Sequence, residues 1–172
     1  MKLKVLLAIL LLVIAVASRF LPHEPNFVPI GAIALFGGVV LNWRLAIWLP
    51  VTVMAISDLF IGAYPGMVFT WLGFMLISVF GMSLRRAPMK LKLSLGPLGA
   101  GIIFFVVSNF GVWVMGGMYP PTLAGLANCY YMALPFFRTS LLADFTYSVV
   151  IFGVYEMALY GARKYAKLKV NA

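Results

Sequence analysis

The sequence has little of what most enzyme sites require. Its 172 residues include one cysteine, one histidine and four acidic residues. A single cysteine excludes an intrachain disulfide and a cysteine metal cluster, and a lone His23 leaves no histidine-based metal site. No nucleophile elbow, HExxH helix or phosphate-binding loop occurs. We therefore expect no enzymatic activity, no metal and no cofactor.

Charged residues are also scarce, at 10% of the chain, whereas hydrophobic residues make up 64%. Soluble domains carry about 25% charged residues. We therefore expect an all-α integral membrane protein with the lipid bilayer as its surroundings, since helices satisfy their own backbone hydrogen bonds in lipid. The net charge of +9 does not indicate nucleic acid, because the basic residues separate apolar runs and do not cover one face.

The apolar runs predict a six-transmembrane-helix bundle that forms a single domain over residues 1–172. The predicted spans cover residues 3–20, 28–42, 45–62, 67–84, 97–116 and 139–161. The segment "GGMYPPTLAGLANCYYMALPFF", residues 116–137, is apolar but interrupted by prolines. We expect a re-entrant or interfacial helix there, over about residues 122–136.

The basic residues predict the orientation of this bundle. With six spans, eleven of the thirteen basic residues fall on one side, and only Arg19 and Arg138 fall on the other. The positive-inside rule then places both termini in the cytoplasm, and we expect a multi-pass protein of the bacterial cytoplasmic membrane. The alternative is that "MKLKVLLAILLLVIAVAS" is a cleaved signal peptide, which would leave five spans in the same orientation.

Polar side chains within the spans concentrate near their outer ends. Asp58 lies near the outer end of span three, and Asp144 lies in the first two turns of span six. A carboxylate at the centre of a membrane helix costs about 2.5–3.5 kcal/mol or more, so we expect both to face the bundle interior or a wet cavity. Arg138 is a candidate counter-charge for either one. The alternative is a structural role, as a loop cap or a bond between helices.

These residues, with the aromatic residues near them, predict a pocket that opens to the outside. The candidate substrate-binding residues are Asn26, Phe27, Asp58, Thr70, Trp71, Asn109, Trp113, Tyr131 and Asp144. Two carboxylates among aromatic rings would suit a cationic or heteroaromatic molecule. The aromatic residues have an alternative role in the belt at the membrane interface.

Ala34 and Gly38 form a small-xxx-small pair on span two that permits close helix approach. This pair predicts either packing within the bundle or an interface with a partner protein.

Three stretches of the sequence carry a resemblance to a known family. They are "PHEPNFVPIGAIALFGG" (residues 22–38), the segment from Asn26 to Met82, and "SNFGVWVMGGMYPPTLAGLANCYYMALPFFRTSLLADFTYSVVIFGVYE" (residues 108–156). The matching pieces are Pro29, Gly37-Gly38, Ser57-Asp58, Gly62, Pro65-Gly66 and Thr70. The sequence resembles the substrate-capture (S) components of energy-coupling-factor (ECF) vitamin transporters. Within these it is similar to an uncharacterised family of small bacterial membrane proteins named as transport proteins.

The resemblance implies a six-helix S-component fold that binds a small water-soluble nutrient from outside. The outer loops would close over this nutrient, with Pro22 and Pro25 stiffening the first loop and with Asn26 and Phe27 facing the substrate. A transmembrane coupling protein and an ATPase module would supply the energy for uptake.

One feature departs from that family. S components usually contact their coupling protein through an Ala-xxx-Ala surface on helix one, but here Leu12 lies four residues after Ala8. The S-component fold also resembles a membrane scaffold protein of the cell-shape machinery. A non-transport scaffold is therefore the alternative function, and a substrate-sized pocket of about 300 Å³ or more would favour transport over it.

Overall fold

The computed structural model describes the backbone of residues 2–170 and the side chains of residues 5–164. All regular secondary structure in this part of the chain is helical. The helices are α1 (Lys2–Ser18), α2 (Ile30–Val40), α3 (Trp43–Ile61), α4 (Met67–Ser83), α5 (Met89–Met115) and α6 (Leu123–Val170). Three segments are long and apolar enough to cross a membrane, namely Trp43–Ile61, Met89–Met115 and Leu123–Lys164.

The first four helices begin and end within two residues of the predicted spans. Helix α5 begins eight residues before the predicted span, at Met89, because Pro97 lies inside the helix without ending it. The turn before α5 therefore ends at Pro88, whose fixed backbone angle is suited to the start of a helix.

The break that the sequence predicted between a helix over residues 122–136 and the sixth span is wrong. Helix α6 runs without interruption from Leu123 to Val170 and contains Pro135. Proline removes one backbone hydrogen bond within a helix, but neighbouring helices can stabilise the remainder. Here α6 packs along α5, and the Tyr130 hydroxyl donates a hydrogen bond of 2.7 Å to the carbonyl of Val106 on that helix.

Helix α2 lies at the centre of the bundle and contacts α1, α3, α4, α5 and α6. Nine of its 11 residues are buried, and none of the 11 has a polar side chain. It is eight residues shorter than α3, or roughly 12 Å at 1.5 Å per residue. The first residue of α2, Ile30, therefore lies deeper in the bundle than the ends of the neighbouring helices. This leaves a recess between Ile30 and that end of the bundle.

Small residues allow α2 and α4 to approach closely. A methyl group at Gly38 would collide with the backbone carbonyl of Ser78, and one at Gly81 would collide with the carbonyl of Leu35. Ala34 is fully buried, and its carbonyl accepts a hydrogen bond of 3.1 Å from the Ser78 hydroxyl. The small-xxx-small pair thus packs within the bundle and is not a partner interface, because α4 covers it.

The bundle has two different ends. At one end, which we call the basic end, the Arg85 side chain donates hydrogen bonds to the carbonyls of Gly38 and Leu41, at 2.9 and 2.7 Å. Gly38 lies in the last turn of α2 and Leu41 caps its end, where carbonyls lack partners within the helix. The other end, which we call the chamber end, carries the loops 19–29, 62–66 and 116–122.

Candidate functional site

A cavity of about 360 Å³ occupies the recess above α2 at the chamber end. Its floor includes Ile30, the first residue of α2, and its walls come from α3, α4, α5, α6 and the loops. We call this cavity the chamber. Its lining residues are Arg19, Asn26, Val28, Ile30, Met54, Tyr64, Thr70, Phe74, Gly101, Phe104, Phe105, Ser108, Asn109, Val112, Ala133, Phe136, Phe137 and Ser140.

Aromatic rings form much of the chamber wall. Phe74 of α4 and Phe104 of α5 stack with their centroids 4.6 Å apart, and Phe105 packs against Phe137 of α6 at 4.8 Å. Paired rings hold one another in fixed positions. The chamber thus has apolar faces with polar groups placed between them, as small-molecule sites commonly have.

Asn26 enters the chamber from a tight turn. The backbone N–H of Phe27 donates to the carbonyl of Glu24 at 2.9 Å, and Asn26 has a φ of 63°. Proline followed by a residue with positive φ is the pattern of a type II turn, and asparagine tolerates that conformation. The polar segment before α2 therefore turns the chain down into the recess and places an amide at its rim.

Arg19 carries the positive charge of the chamber, and Asp58 holds it in place. One guanidinium nitrogen of Arg19 lies 2.6 Å from Asp58 Oδ1 and donates a hydrogen bond of 2.6 Å to Ser57 Oγ. The other carboxylate oxygen of Asp58 accepts a hydrogen bond of 2.8 Å from the Trp71 indole. Asp58 and Trp71 are not among the lining residues, so they lie behind Arg19 and position it.

Tyr64 and Thr70 border the chamber beside Arg19. Burial raises the pKa of the Tyr64 phenol above its ordinary value, and the negative charge of Asp58 adds to the rise, while the nearby Thr70 side chain acts against it. Tyr64 therefore keeps its proton at neutral pH and can donate a hydrogen bond to a bound molecule.

Asn109 and Ser108 bring polar groups from α5 to the chamber wall. The Asn109 amide donates to the carbonyl of Phe105 at 2.8 Å, and the Ser108 hydroxyl donates to the carbonyl of Phe104 at 2.6 Å. The Ser108 hydroxyl hydrogen and one of the two amide hydrogens of Asn109 are thus used within the helix. The amide oxygen of Asn109 has no such partner among the described residues and can accept a hydrogen bond.

A smaller cavity of about 50 Å³, which we call the annex, adjoins the chamber. The two cavities share the wall residues Asn26, Val28, Phe74, Phe104 and Ser140. Asp144 lines the annex and is buried, with 5% of its surface exposed. A methyl group at Gly31 would collide with Asp144 Oδ1, so this glycine makes room for the carboxyl group.

The structure places the nine predicted site residues in three groups. Asn26, Thr70 and Asn109 line the chamber, and Asp144 lines the annex with Asn26. Asp58 and Trp71 support the chamber from behind, through Arg19.

The other three line neither cavity. Phe27 packs against Tyr147 at 5.5 Å, the Trp113 indole donates to the carbonyl of Pro120 at 3.0 Å, and Tyr131 is 67% exposed.

The prediction that Arg138 is the counter-charge of Asp58 or Asp144 is wrong. Asp58 pairs with Arg19 instead, and Arg138 is exposed with no acidic partner among the described side chains. Arg138 is six residues before Asp144 in the same helix, which puts the two on different faces of α6. The sequence did contain a signal for the pairing of Arg19 with Asp58, because Arg19 lies at the outer end of α1, at the same predicted depth as Asp58.

Sequence reasoning also did not identify Tyr64, Ser140 and Gly31 as parts of the site. Among the described residues, no cluster of three histidine, cysteine or acidic side chains could hold a metal ion.

Comparison with known proteins identifies a family but no functional relative. The model of a family described as "Family of unknown function (DUF6580)" matches residues 1–168. No curated protein matches the chain, and no solved structure matches it.

Proposed function

The chain belongs to the DUF6580 family, and we propose that it is the substrate-binding protein of a membrane uptake system. In this proposal it captures a small water-soluble nutrient from the outer face of the bacterial cytoplasmic membrane. The observation that supports this most is the chamber. Its volume of about 360 Å³ falls in the range of roughly 300–1,000 Å³ of small-molecule sites.

The proposed arrangement in the membrane has six spans, with both termini in the cytoplasm and the chamber outside. Support comes from the charge distribution, since Arg44, Arg85, Arg86, Lys90 and Lys92 all lie at the basic end. Positive residues favour the cytoplasmic side. The chamber would then be reached from the outside through the loops around Asn26 and Tyr64.

The chamber offers hydrogen-bonding groups of both kinds. Arg19 and Tyr64 are donors, whereas Asn26 and Asn109 supply amide oxygens as acceptors. Arg19 is already fixed by Asp58 and Ser57, so little side-chain entropy is lost when it binds a ligand. A polar molecule with one apolar face fits such a lining.

We propose binding and not catalysis as the role of this site. Uptake also needs an energy source, and the resemblance to S components makes a transmembrane coupling protein with an ATPase module the proposed partner. The small residues Ala8 and Ala15 of α1 are buried within the bundle, whereas Ile9, Leu10 and Val13 are exposed. A partner that contacts α1 would therefore meet large side chains in place of an Ala-xxx-Ala surface.

A scaffold without a ligand is the alternative. A scaffold does not need a cavity of this size, because unfilled volume lowers stability. The volume and polar lining of the chamber therefore favour capture of a molecule.

The test is ligand binding by the purified protein in detergent. Its thermal unfolding would be followed with a panel of vitamins, precursors, amino compounds and carboxylates. A ligand at 100 times its Kd adds about 2.7 kcal/mol to the unfolding free energy, so one compound is expected to raise the Tm saturably.

A chamber-filling variant provides the control. Thr70→Phe puts a ring into the chamber and is expected to abolish the ligand-induced rise in Tm. Val68→Phe, at a 62% exposed position two residues earlier, is expected to leave it unchanged. The proposal is wrong if no compound raises the Tm of the wild-type protein.

A further inference from the structure

The annex contains a carboxyl group that the described part of the chain does not neutralise. Asp144 is 5% exposed and lines the annex. Its carboxyl group forms no ion pair and accepts no hydrogen bond within residues 5–164. Asp58, at similar burial, has Arg19 and Trp71 as partners. A buried carboxylate without partners is costly, so the charged form of Asp144 needs a cation that residues 5–164 do not supply.

The groups around Asp144 carry no formal charge. The annex wall includes Gly31 of α2, Phe74 and Ile77 of α4 and Phe104 of α5. The first turn of α2 is the positive end of its dipole and favours a negative charge nearby. The α2 dipole thus favours a negative charge on Asp144, whereas burial among apolar side chains opposes it, and the surroundings supply no cation to offset the burial.

Two further acceptors share the annex with this carboxyl group. Asn26 and Ser140 both line the annex, and their side chains have an amide oxygen and a hydroxyl oxygen that can accept hydrogen bonds. An ammonium group has three N–H donors and no acceptor, which matches these three oxygen-bearing side chains. The annex, at about 50 Å³, has room for a head group but not for a whole nutrient, since one water in the liquid takes about 30 Å³.

We propose that the captured molecule carries a primary ammonium group, which enters the annex and binds Asp144 while the rest of the molecule lies in the chamber. Asn26 and Ser140 accept its other hydrogen bonds. This inference rests on the proposed function and adds the chemical class of the substrate, a small primary amine.

The experiment compares amines with neutral molecules of the same shape. The thermal unfolding of the purified protein is followed with n-butylammonium and 2-phenylethylammonium, and with n-butanol and 2-phenylethanol. The vitamins, precursors, amino compounds and carboxylates used to test the proposed function are likewise divided into compounds with and without a primary amine. A separate titration compares sodium chloride with choline chloride, because a small metal cation could also neutralise a carboxylate.

Asp144→Asn keeps the shape of the side chain and removes its charge. It is expected to weaken amine binding at least about tenfold, the effect of losing one charged hydrogen bond. Glu156→Gln removes a charge from an exposed position on the same helix and is expected to leave amine binding unchanged. Ser140→Ala is a second test, should Asp144→Asn fold poorly, and is expected to weaken amine binding by a smaller factor.

The outcomes separate this inference from the proposed function. A saturable rise in Tm with amines but not with the alcohols, lost in Asp144→Asn, supports the inference. Binding of a neutral or anionic compound that Thr70→Phe abolishes retains the capture function and overturns the ammonium assignment. A stabilising effect of sodium without one of amines also overturns it. No rise with any compound overturns both.

Discussion

Asp58 and Asp144 are both buried carboxyl groups in apolar helices, but they have different surroundings. Asp58 is enclosed by an arginine, a serine and a tryptophan, and its charge is balanced. Asp144 faces a cavity. A carboxylate with internal partners positions other groups, whereas one that faces an empty space can bind something from outside. The same residue type thus has a structural role in α3 and, in our proposal, a binding role in α6.

The ion pair between Arg19 and Asp58 predicts a large loss of stability when one partner is removed. Asp58→Asn leaves the guanidinium, 14% exposed, without its counter-charge. We expect the unfolding free energy to fall by about 3 kcal/mol, as measured by thermal or chemical unfolding in detergent. The double variant Arg19→Met with Asp58→Leu removes both charges and is expected to recover most of this loss. Equal stability of Asp58→Asn and wild type would contradict the structural role.

Gly31 offers a test of the annex that does not alter Asp144. A methyl group at this position would collide with the Asp144 carboxyl group, whereas one at Gly37 would make ordinary contacts of 3.6 Å with Leu41 and Leu49. Gly31→Ala is expected to lower the unfolding free energy by about 1–3 kcal/mol, as overpacking does. Gly37→Ala, in the same helix, is expected to raise it by about 0.5–1 kcal/mol. Equal effects of the two changes would mean that Gly31 does not pack against Asp144.

At the scale of the helices, the shortness of α2 accounts for the site. An 11-residue helix is roughly 16 Å long, about half the thickness of the hydrocarbon core of a bilayer. Its neighbours are longer, so the loop before α2 must descend into the bundle. The chamber is the volume that α2 does not fill.

Arg85 holds the other end of α2, and this predicts a contrast between two adjacent arginines. Arg85→Met removes the donors for two carbonyls at the end of α2. We expect it to cost about 1–3 kcal/mol of unfolding free energy. Arg86→Met, at an exposed position that makes no described hydrogen bond, is expected to change stability by less than about 0.5 kcal/mol. Thermal unfolding of the two variants measures this difference. A similar loss of unfolding free energy in both would contradict the role of Arg85 in capping α2.

The helices could be predicted from the sequence more completely than the site. Apolar runs bounded by Pro, Asn and Arg give the positions of α1 to α4, because these boundaries depend on local sequence. Pro135 misled the prediction for α6, since tertiary packing against α5 overrides the local preference. The facing directions of Asp58, Trp71 and Tyr131 depend on the rotation of each helix about its axis, which apolar runs do not fix. The pairing of Arg19 with Asp58 likewise depends on how α1 packs against α3.

At the scale of the whole molecule, the two ends differ in charge and in shape. The basic end is closed by short turns and by Arg85, and the chamber end has the longer loops and the cavities. A capture protein needs its site on the side from which the nutrient comes. Under the proposed capture function, the position of the chamber therefore agrees with the orientation that the charge asymmetry favours.

This orientation predicts the accessibility of cysteines introduced at the two ends. Cys129 is buried, and Cys129→Ser gives a cysteine-free background. Ala63→Cys lies in the loop 62–66 at the chamber end, and Ser83→Cys lies at the end of α4 on the basic side; both positions are exposed. In intact bacterial cells whose inner membrane is sealed, a membrane-impermeant thiol reagent is expected to label the first and not the second. After the membrane is permeabilised, both should be labelled, which confirms that Ser83→Cys is reactive. Labelling of Ser83→Cys alone in intact cells would reverse the orientation, place the chamber in the cytoplasm and exclude capture from outside.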